Sequence, residues 1–167
     1  MGSKTVFIFP SRFHDSPLTQ SEARRFCEEE QPFPSHLVEI ESAEENYAII
    51  AEIRRRNFGS RNMEFWRGIT DRHSEGIAEI RRRNFGARNM EFWLGITDRH
   101  SEGRWVLEST GKSVVFTNWN SGEPNNAHSG ENCAYIINAN YKWNDHTCNE
   151  GVTVDRTWMW TALCEKI

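Results

Sequence analysis

The sequence contains a long internal repeat. Residues 50–76 recur as residues 77–103 with two differences. The differing pairs are Ser60 against Ala87 and Arg67 against Leu94. Solenoid proteins repeat units of this size, but they need several copies to bury a continuous core. Two copies therefore indicate a duplication, either recent or deliberately introduced, whose halves compete for one place in the fold.

The size and composition of the chain fit one globular domain. With 167 residues, 37% of them hydrophobic and 26% charged, the chain can bury one sizeable core. A net charge of −4 argues against a general nucleic-acid-binding protein, because phosphate contacts need a clustered basic surface. The arginine triplets at 54–56 and 81–83 are interpreted as solvated helix ends. No apolar run approaches the roughly 20 residues of a membrane span, and we identify no signal peptide.

Two capping boxes predict two helices in the first third of the chain. Thr19 with Glu22 precedes one helix, and Ser42 with Glu45 precedes the second. The second helix is predicted to bury an apolar stripe consisting of Tyr47, Ile50 and Ala51. Downstream, short apolar runs separated by Gly, Asn and Ser predict strands joined by long loops. Helices followed mainly by strands indicate an α+β domain.

A group of acids and amides in the last third of the chain is typical of a calcium site. Its members are Glu123, Asn125, Glu131, Asn144 and Asp145. Calcium takes about 6–8 oxygen ligands, usually a mixture of carboxylates and amide carbonyls. Carboxylates can also accept hydrogen bonds from sugar hydroxyls, and asparagine NH2 groups can donate hydrogen bonds to the same hydroxyls. These residues therefore predict one site shared by calcium and a sugar diol.

The four cysteines indicate an oxidising environment if they form disulfides. Cys27, Cys133, Cys148 and Cys164 allow three pairings, among which the sequence alone does not choose. Structural disulfides would place the protein outside the reducing cytosol. A zinc site or free thiols are the alternatives, but the chain has no C-x-x-C pair and no histidine at zinc spacing from a cysteine.

Several motifs together carry a resemblance to a known family. They are Glu123-Pro124-Asn125, Trp143-Asn144-Asp145, Trp93-Leu94-Gly95-Ile96, Asn118-Trp119 and Cys164-Glu165. This set resembles the C-type lectin domains, and in particular their mannose-type calcium and sugar site. The resemblance implies a single C-type lectin-like domain over residues 4–167. Its expected architecture is two helices packed on small antiparallel sheets, with a long calcium-binding loop region.

The resemblance also implies roles for individual residues. The principal calcium ligands, which also bind the sugar, would be Glu123, Asn125, Glu131, Asn144 and Asp145. The bond before Pro124 would be cis, a form that only X-Pro bonds adopt at modest cost. The implied disulfides are Cys27 with Cys164 and Cys133 with Cys148. An auxiliary calcium site would comprise Asp98, Glu102, Asn126, Glu131 and Asn132, and amides at two positions where acids are usual predict weak calcium binding there or none.

A lectin-like domain has room for one copy of the repeated segment. We expect the strand of the second copy in the core, because the first copy would bury Arg67 where the second buries Leu94. For the helix of the repeat, we expect the first copy to form part of the core, because it continues from the capping box at Ser42. The remainder predicts an extruded insert at roughly 57–89. Exchange of the copies, including a domain-swapped homodimer, is a further hypothesis.

The predicted function is that of a secreted, calcium-dependent lectin for mannose, N-acetylglucosamine, glucose or fucose. The resemblance supplies this preference, since Glu-Pro-Asn goes with equatorial neighbouring hydroxyls in the family and Gln-Pro-Asp with galactose. An alternative is an interaction module for proteins, ice or mineral surfaces, because one fold can serve several functions. A glycoside hydrolase is not expected, because calcium would neutralise the carboxylates and leave no acid with a raised pKa.

Overall fold

The computed structural model describes residues 6–9, 18–29, 31, 33–55, 89–127, 129–137, 139–149 and 158–167. Within these ranges the chain forms two helices and seven strands. The helices are α1 (Gln20–Glu29) and α2 (Ala43–Arg55). The strands are β1 (Val6–Phe9), β2 (Ser35–Leu37), β3 (Asn89–Thr97), β4 (Val106–Leu107), β5 (Cys133–Ile137), β6 (Trp143–His146) and β7 (Trp158–Lys166). The domain is therefore α+β, as predicted.

The strands form one mixed sheet. Its order is β1-β7-β3-β5-β6, with β2 also paired to β7 and β4 to β3. Strands β3 and β7 run parallel, with Phe92 opposite Thr161, whereas the other described pairs are antiparallel. The expectation of small antiparallel sheets is therefore wrong. A parallel pair needs a long crossover, and the chain between β3 and β7, which includes the β5–β6 hairpin, provides it.

Helix α1 begins where its capping box predicts. The backbone amide of Glu22 donates to Thr19 Oγ1 at 3.2 Å, and the backbone amide of Thr19 donates to Glu22 Oε2 at 2.8 Å. These reciprocal bonds satisfy amides that the first helical turn leaves without partners. A disulfide between Cys27 and Cys164 joins α1 to β7, which is the pairing that the family resemblance implied.

Helix α2 begins as predicted but buries a different face. The amide of Glu45 donates to Ser42 Oγ at 3.1 Å. The buried residues are Asn46, Ile49 and Ile53, whereas Tyr47 is 74% exposed. The predicted stripe of Tyr47, Ile50 and Ala51 is therefore wrong. The apolar residues of α2 are spread around much of its circumference, so the sequence allows more than one buried face. Packing against the sheet buries the face that carries Asn46, Ile49 and Ile53.

Strand β3 lies at the centre of the core and comes from the second copy of the repeat, as predicted. Phe92, Leu94 and Ile96 are fully buried in one apolar cluster, and Trp93 is fully buried in another. This alternation is expected of a strand whose two faces are both covered. An arginine in place of Leu94 would put an unpaired charge in the first cluster.

Helix α2 extends through residues 50–55, so the helix of the first copy continues from the capping box. The second copy of this helix segment lies outside the described residues. The same is true of the predicted insert at 57–89, apart from Asn89, which begins β3. The insert and the exchange between copies remain predictions.

Candidate functional site

The predicted principal ligands come from two neighbouring parts of the chain. The loop before β5 carries Glu123, Asn125 and Glu131, and β6 carries Asn144 and Asp145. Because β6 pairs with β5, the hairpin lies directly beside this loop. The Glu123–Pro124 peptide is cis, as the resemblance implied.

Asp145 connects the loop to the hairpin. Its Oδ1 accepts a hydrogen bond from the amide of Asn125 at 3.1 Å, and its Oδ2 accepts one from the amide of Asn126 at 2.8 Å. The residue is buried. A buried carboxylate that accepts two backbone amides is held in one orientation.

The amide of Ala127 connects two more of the predicted ligands. It donates to Asn125 Oδ1 at 2.7 Å and to Glu131 Oε2 at 2.9 Å. A carboxylate oxygen and an amide oxygen each have two lone pairs, so both atoms retain capacity for a further partner. The loop therefore orders these side chains without using all of their acceptor sites.

Negative charge is crowded in this site. Burial, a hydrogen bond with Asp145 and the charges of Asp145 and Glu131 raise the pKa of Glu123 from its ordinary 4.5 to about 7. In the absence of a cation, Glu123 therefore holds a proton up to near-neutral pH. A divalent cation between these carboxylates would offset the repulsion that favours that proton.

The donor atoms of the site fit a hard cation. Asn144 Oδ1 is buried and, within the described part of the chain, has no hydrogen-bond partner. Such an atom costs about 1–3 kcal/mol unless something pairs with it. Together with Asn125 Oδ1 and three carboxyl groups, it provides the oxygen mixture that calcium prefers, and a diol or water could complete the coordination.

The residues predicted for the auxiliary site also lie together, but Asn126 already has several partners. Its Nδ2 donates to Glu102 Oε2 at 2.8 Å. Its Oδ1 accepts the amides of Gly130 at 2.6 Å and Glu131 at 3.0 Å. The Asn126 amide therefore cross-links the loop, and its oxygen has little capacity left for a cation.

Asp98 provides the acidic centre of the auxiliary group. Its Oδ2 accepts the amide of Gly103 at 2.8 Å, and its Oδ1 is buried without a hydrogen-bond partner among the residues that the structure describes. Burial, aided by the charge of Asp145, raises the pKa of Asp98. Asn132 reaches Asp98 through its backbone carbonyl, which accepts the Asp98 amide at 3.3 Å.

Comparison with known proteins identifies the domain. A family model described as "Lectin C-type domain" matches residues 78–154. "Hepatic lectin" of Gallus gallus is 42% identical over 137 residues, which cover 81% of this chain and 48% of that protein. The solved carbohydrate-recognition domain of a mouse scavenger receptor C-type lectin superposes with a TM-score of 0.61 at 26% identity, covering 99% of this chain and 92% of that one. This chain contains a C-type lectin domain.

The C-type lectin domain accounts for only part of its curated relatives. "Perlucin-like protein" of Mytilus galloprovincialis is 41% identical over 120 residues, covering 71% of this chain and 58% of that protein. The chain thus spans about half the length of the curated relatives that it matches. These relatives are lectins or lectin-like proteins, from a family that is generally non-enzymatic. No described helix is long and apolar enough to cross a membrane.

Arg99 braces the second disulfide of the C-type lectin domain and was not predicted. Cys133 is bonded to Cys148, as the resemblance implied. Arg99 Nη2 lies 3.2 Å from Cys133 Sγ, and its Nε lies 3.3 Å from Cys148 Sγ. The same Nη2 donates to Gln20 Oε1 at 2.8 Å. The arginine therefore ties the β5–β6 hairpin to α1.

An aromatic cluster lies next to the proposed site. It consists of Trp93, Tyr135, His146 and Trp160. Tyr135 lies directly opposite Asn144 in the hairpin, and His146 Nδ1 lies 3.6 Å from Glu131 Oε1. The period-two alternation of β5 and β6 would have placed Tyr135 on the same face as Asn144 once their register was known.

A separate cluster of possible metal ligands is better explained as a structural joint. His36, Glu39 and Glu165 have ligand atoms within 4.8 Å of one another. However, His36 Nδ1 lies 2.7 Å from the carbonyl oxygen of Leu37, and Glu39 accepts two hydrogen bonds of 2.7 Å from Ser109. Glu165 Oε1 accepts the amide of Glu39 at 3.0 Å. These contacts join β2 and β7 to the loop after β4.

Proposed function

We propose that this C-type lectin domain binds calcium and, through the calcium, a mannose-type sugar. The ligands of both would be Glu123, Asn125, Glu131, Asn144 and Asp145. The observation that carries the proposal is the crowding of the carboxyl groups of Glu123, Glu131 and Asp145. Asn125 joins them, because its backbone amide donates to Asp145 and its Oδ1 accepts from the same Ala127 amide as Glu131. C-type lectin domains generally bind calcium, and the lectin relatives support carbohydrate as the ligand class.

The arrangement of acids and amides would determine which sugars bind. Two neighbouring equatorial hydroxyls would complete the calcium coordination, donate hydrogen bonds to Glu123 and Glu131, and accept them from Asn125 and Asn144. The expected ligands are mannose, N-acetylglucosamine, glucose and fucose. Because a monosaccharide makes few contacts in a shallow, wet site, the affinity of one domain should be weak, and several linked domains or a dimer would be needed for tight binding.

The auxiliary group is proposed to bind calcium weakly. Its members are Asp98, Glu102, Asn126, Glu131 and Asn132. The buried Oδ1 of Asp98 favours a cation, whereas the hydrogen bonds of Asn126 remove one potential ligand. The principal site should therefore fill first.

The two disulfides support an extracellular location for this domain. A reducing cytosol would work against both bonds, and one of them encloses the residues of the β5–β6 hairpin that carry Asn144 and Asp145. Secretion is accordingly part of the proposal, and a homodimer formed by exchange of the repeated segments remains a hypothesis of the sequence.

Calorimetric titration with mannose and with galactose tests the proposed function. Mannose should produce heat in calcium and none in excess chelator, with galactose producing little in either. Glu131→Gln should lose calcium and mannose binding together, whereas Glu28→Gln, at an exposed position on α1, should behave as the unmodified protein. Calcium binding without a response to either sugar would favour the interaction-module alternative. No calcium binding would exclude the proposed site, and turnover of a glycoside would restore the enzyme alternative.

A further inference from the structure

Asn118 lies where the loop before β5 meets the β5–β6 hairpin. The Asn118-Trp119 pair contributed to the family resemblance, but neither residue is among the proposed ligands. The Asn118 carbonyl accepts the amide of Trp143 at 2.9 Å, and the Asn120 amide donates to the carbonyl of Trp143 at 2.8 Å. Residues 118–120 therefore pair with the first residue of β6.

The side chain of Asn118 fastens the turn of the hairpin to this segment. Its Nδ2 donates to the backbone carbonyl of Tyr141 at 3.0 Å, and its Oδ1 accepts a hydrogen bond from Lys142 Nζ at 2.7 Å. A carbonyl oxygen can only accept and an ammonium can only donate, so these two partners determine the orientation of the asparagine amide. Tyr141 adopts a left-handed backbone conformation, with a φ of 59°. The Asn118 amide thus supports the turn that precedes β6.

Residues 118–120 also lead to the first proposed ligand of the loop. The amide of Glu123 donates to the carbonyl of Asn120 at 3.1 Å, so Glu123 lies a single turn beyond the segment that pairs with β6. On the other side, β6 carries Asn144 and Asp145 directly after its paired residue. The two groups of proposed ligands therefore start from one junction, which Asn118 closes with both its backbone and its side chain.

The Asn118 contacts differ from those that Asp145 makes with the loop. Asp145 accepts the amides of Asn125 and Asn126 with the same carboxylate that is proposed to bind calcium. The side-chain hydrogen bonds of Asn118 use no proposed ligand, so a bound cation would not compete for them. They are therefore suited to hold the two groups of ligands together in the calcium-free and the calcium-bound protein alike.

We propose that Asn118 is a positioning residue for calcium, whose side-chain amide fixes the β5–β6 turn against the start of the ligand-bearing loop. This inference rests on the proposed function, because the residues that Asn118 aligns are the proposed ligands. Without this amide, water would take over the turn carbonyl, and the two groups of ligands would lose their fixed separation. Loss of a residue that orients metal ligands typically lowers metal affinity by about 10–100-fold.

Asn118→Asp tests the inference, because aspartate keeps the acceptor for Lys142 and lacks the donor to the Tyr141 carbonyl. The substitution adds negative charge, which by itself would strengthen calcium binding. The inference predicts the opposite, a rise of about 10–100-fold in the calcium dissociation constant measured by calorimetry. Asn149→Asp is the matched control, since it adds the same charge at an exposed turn and should not weaken binding. Unchanged or tighter binding in Asn118→Asp would overturn the inference and leave the proposed function intact.

Lys142→Met provides a second test, at an exposed side chain whose replacement should not unfold the domain. The substitution removes a positive charge, so charge alone would again favour calcium. The inference predicts a dissociation constant higher by about 2–10-fold, because the Asn118 amide loses one of its two side-chain hydrogen bonds. If Asn118→Asp did not fold, Lys142→Met would decide the question. Unchanged or tighter calcium binding in Lys142→Met would then overturn the inference.

Terbium luminescence provides a readout that a loss of stability alone would not change. Terbium is a hard cation that replaces calcium at oxygen ligands, and its emission lifetime reports how much water coordinates it. Water should replace a misaligned protein ligand, so the lifetime should shorten in Asn118→Asp and stay unchanged in Asn149→Asp. Equal lifetimes in these variants and the unmodified protein would overturn the inference. If the unmodified protein bound no calcium, the proposed function would fail, and the positioning role would fail with it.

Discussion

Asp145 Oδ2 accepts a hydrogen bond of 2.8 Å from the backbone amide of Asn126, and this contact anchors the ligand-bearing loop to β6. Asp145 is also one of the proposed calcium ligands. The carboxylate therefore has two separable roles, which are to order the loop and to supply negative charge to the site. Substitution can distinguish them.

Asp145→Asn should retain much of the loop structure and lose calcium affinity. An amide oxygen can still accept one backbone hydrogen bond, whereas the negative charge is gone. Calcium affinity should fall at least about 10-fold, with a melting temperature in chelator close to that of the unmodified protein. Calorimetry and thermal denaturation check the two expectations. A large drop in melting temperature with little change in affinity would reverse the two roles.

The calcium-free protein should lose stability as the pH rises toward 7, because of Glu123. Burial and the neighbouring carboxylates raise the pKa of Glu123 from 4.5 to about 7 in the folded state. A raised pKa favours folding while the group is protonated, so this contribution is complete below about pH 4.5 and is lost as the pH passes about 7. Calcium binding should weaken over the same interval as the pH falls, since the cation must displace the proton.

Glu123→Gln isolates this contribution, because glutamine resembles the protonated acid and does not titrate. In urea denaturation with chelator, the stability of Glu123→Gln relative to the unmodified protein should increase from pH 5 to pH 8. Glu28→Gln should show no such trend. Parallel curves for Glu123→Gln and the unmodified protein would contradict the raised pKa.

Exchanging the acid and amide around Pro124 should change sugar selectivity. In Glu123→Gln with Asn125→Asp, a donor and an acceptor trade places, so the hydrogen bonds around the sugar hydroxyls reverse direction. Preference should move from mannose toward galactose, as measured by competition for an immobilised sugar. Unchanged selectivity with intact calcium binding would show that this pair does not choose the sugar.

Deleting residues 57–83 should produce a functional domain with one copy of the repeat. The deletion joins Arg56 to Asn84 and shortens the connection between α2 and β3. Loop closure then costs less, by on the order of 1.5 kcal/mol. Calcium affinity should be unchanged, and sedimentation should show no exchange dimer. Failure to fold would mean that the duplicated segment is part of the domain.

Leu94→Arg in the full chain is the complementary test of the repeat. It gives the second copy the residue found in the first, at a fully buried position. An unpaired charge there should unfold the domain or force the chain to rearrange. A melting temperature like that of the unmodified protein would mean that either copy can serve as the core strand.

Features that depend on local chemistry could be predicted from the sequence. The starts of α1 and α2 follow from their capping residues, which act within one helical turn. The choice of β3 from the second copy followed from the direct continuation of that copy into Gly103 and Arg104, and independently from Leu94, because burying an arginine there is costly in any fold. The proposed calcium ligands were chosen on the same kind of ground, since calcium requires oxygen donors, and they remain a prediction.

Features that depend on pairing between distant segments could not be predicted. The sequence of β6 is mostly polar and lacks the alternating apolar pattern of a strand. Its strand conformation depends on hydrogen bonding with β5, which the local sequence does not indicate. The parallel pairing of β7 with β3 likewise depends on contacts between segments that are far apart in the sequence. Arg99 was missed because it acts through cysteines that the fold brings to it.

The position of β7 has a consequence for how the domain is made in the cell. This strand pairs with β1, β2 and β3, and it follows all of them in the chain. While the ribosome is still synthesising residues 98–157, the early strands lack the neighbour that would complete their hydrogen bonding. Unpaired strand edges are prone to aggregation. Assembly of the sheet must therefore wait until translation has passed β7, and chaperone protection before that point should influence the yield of folded protein.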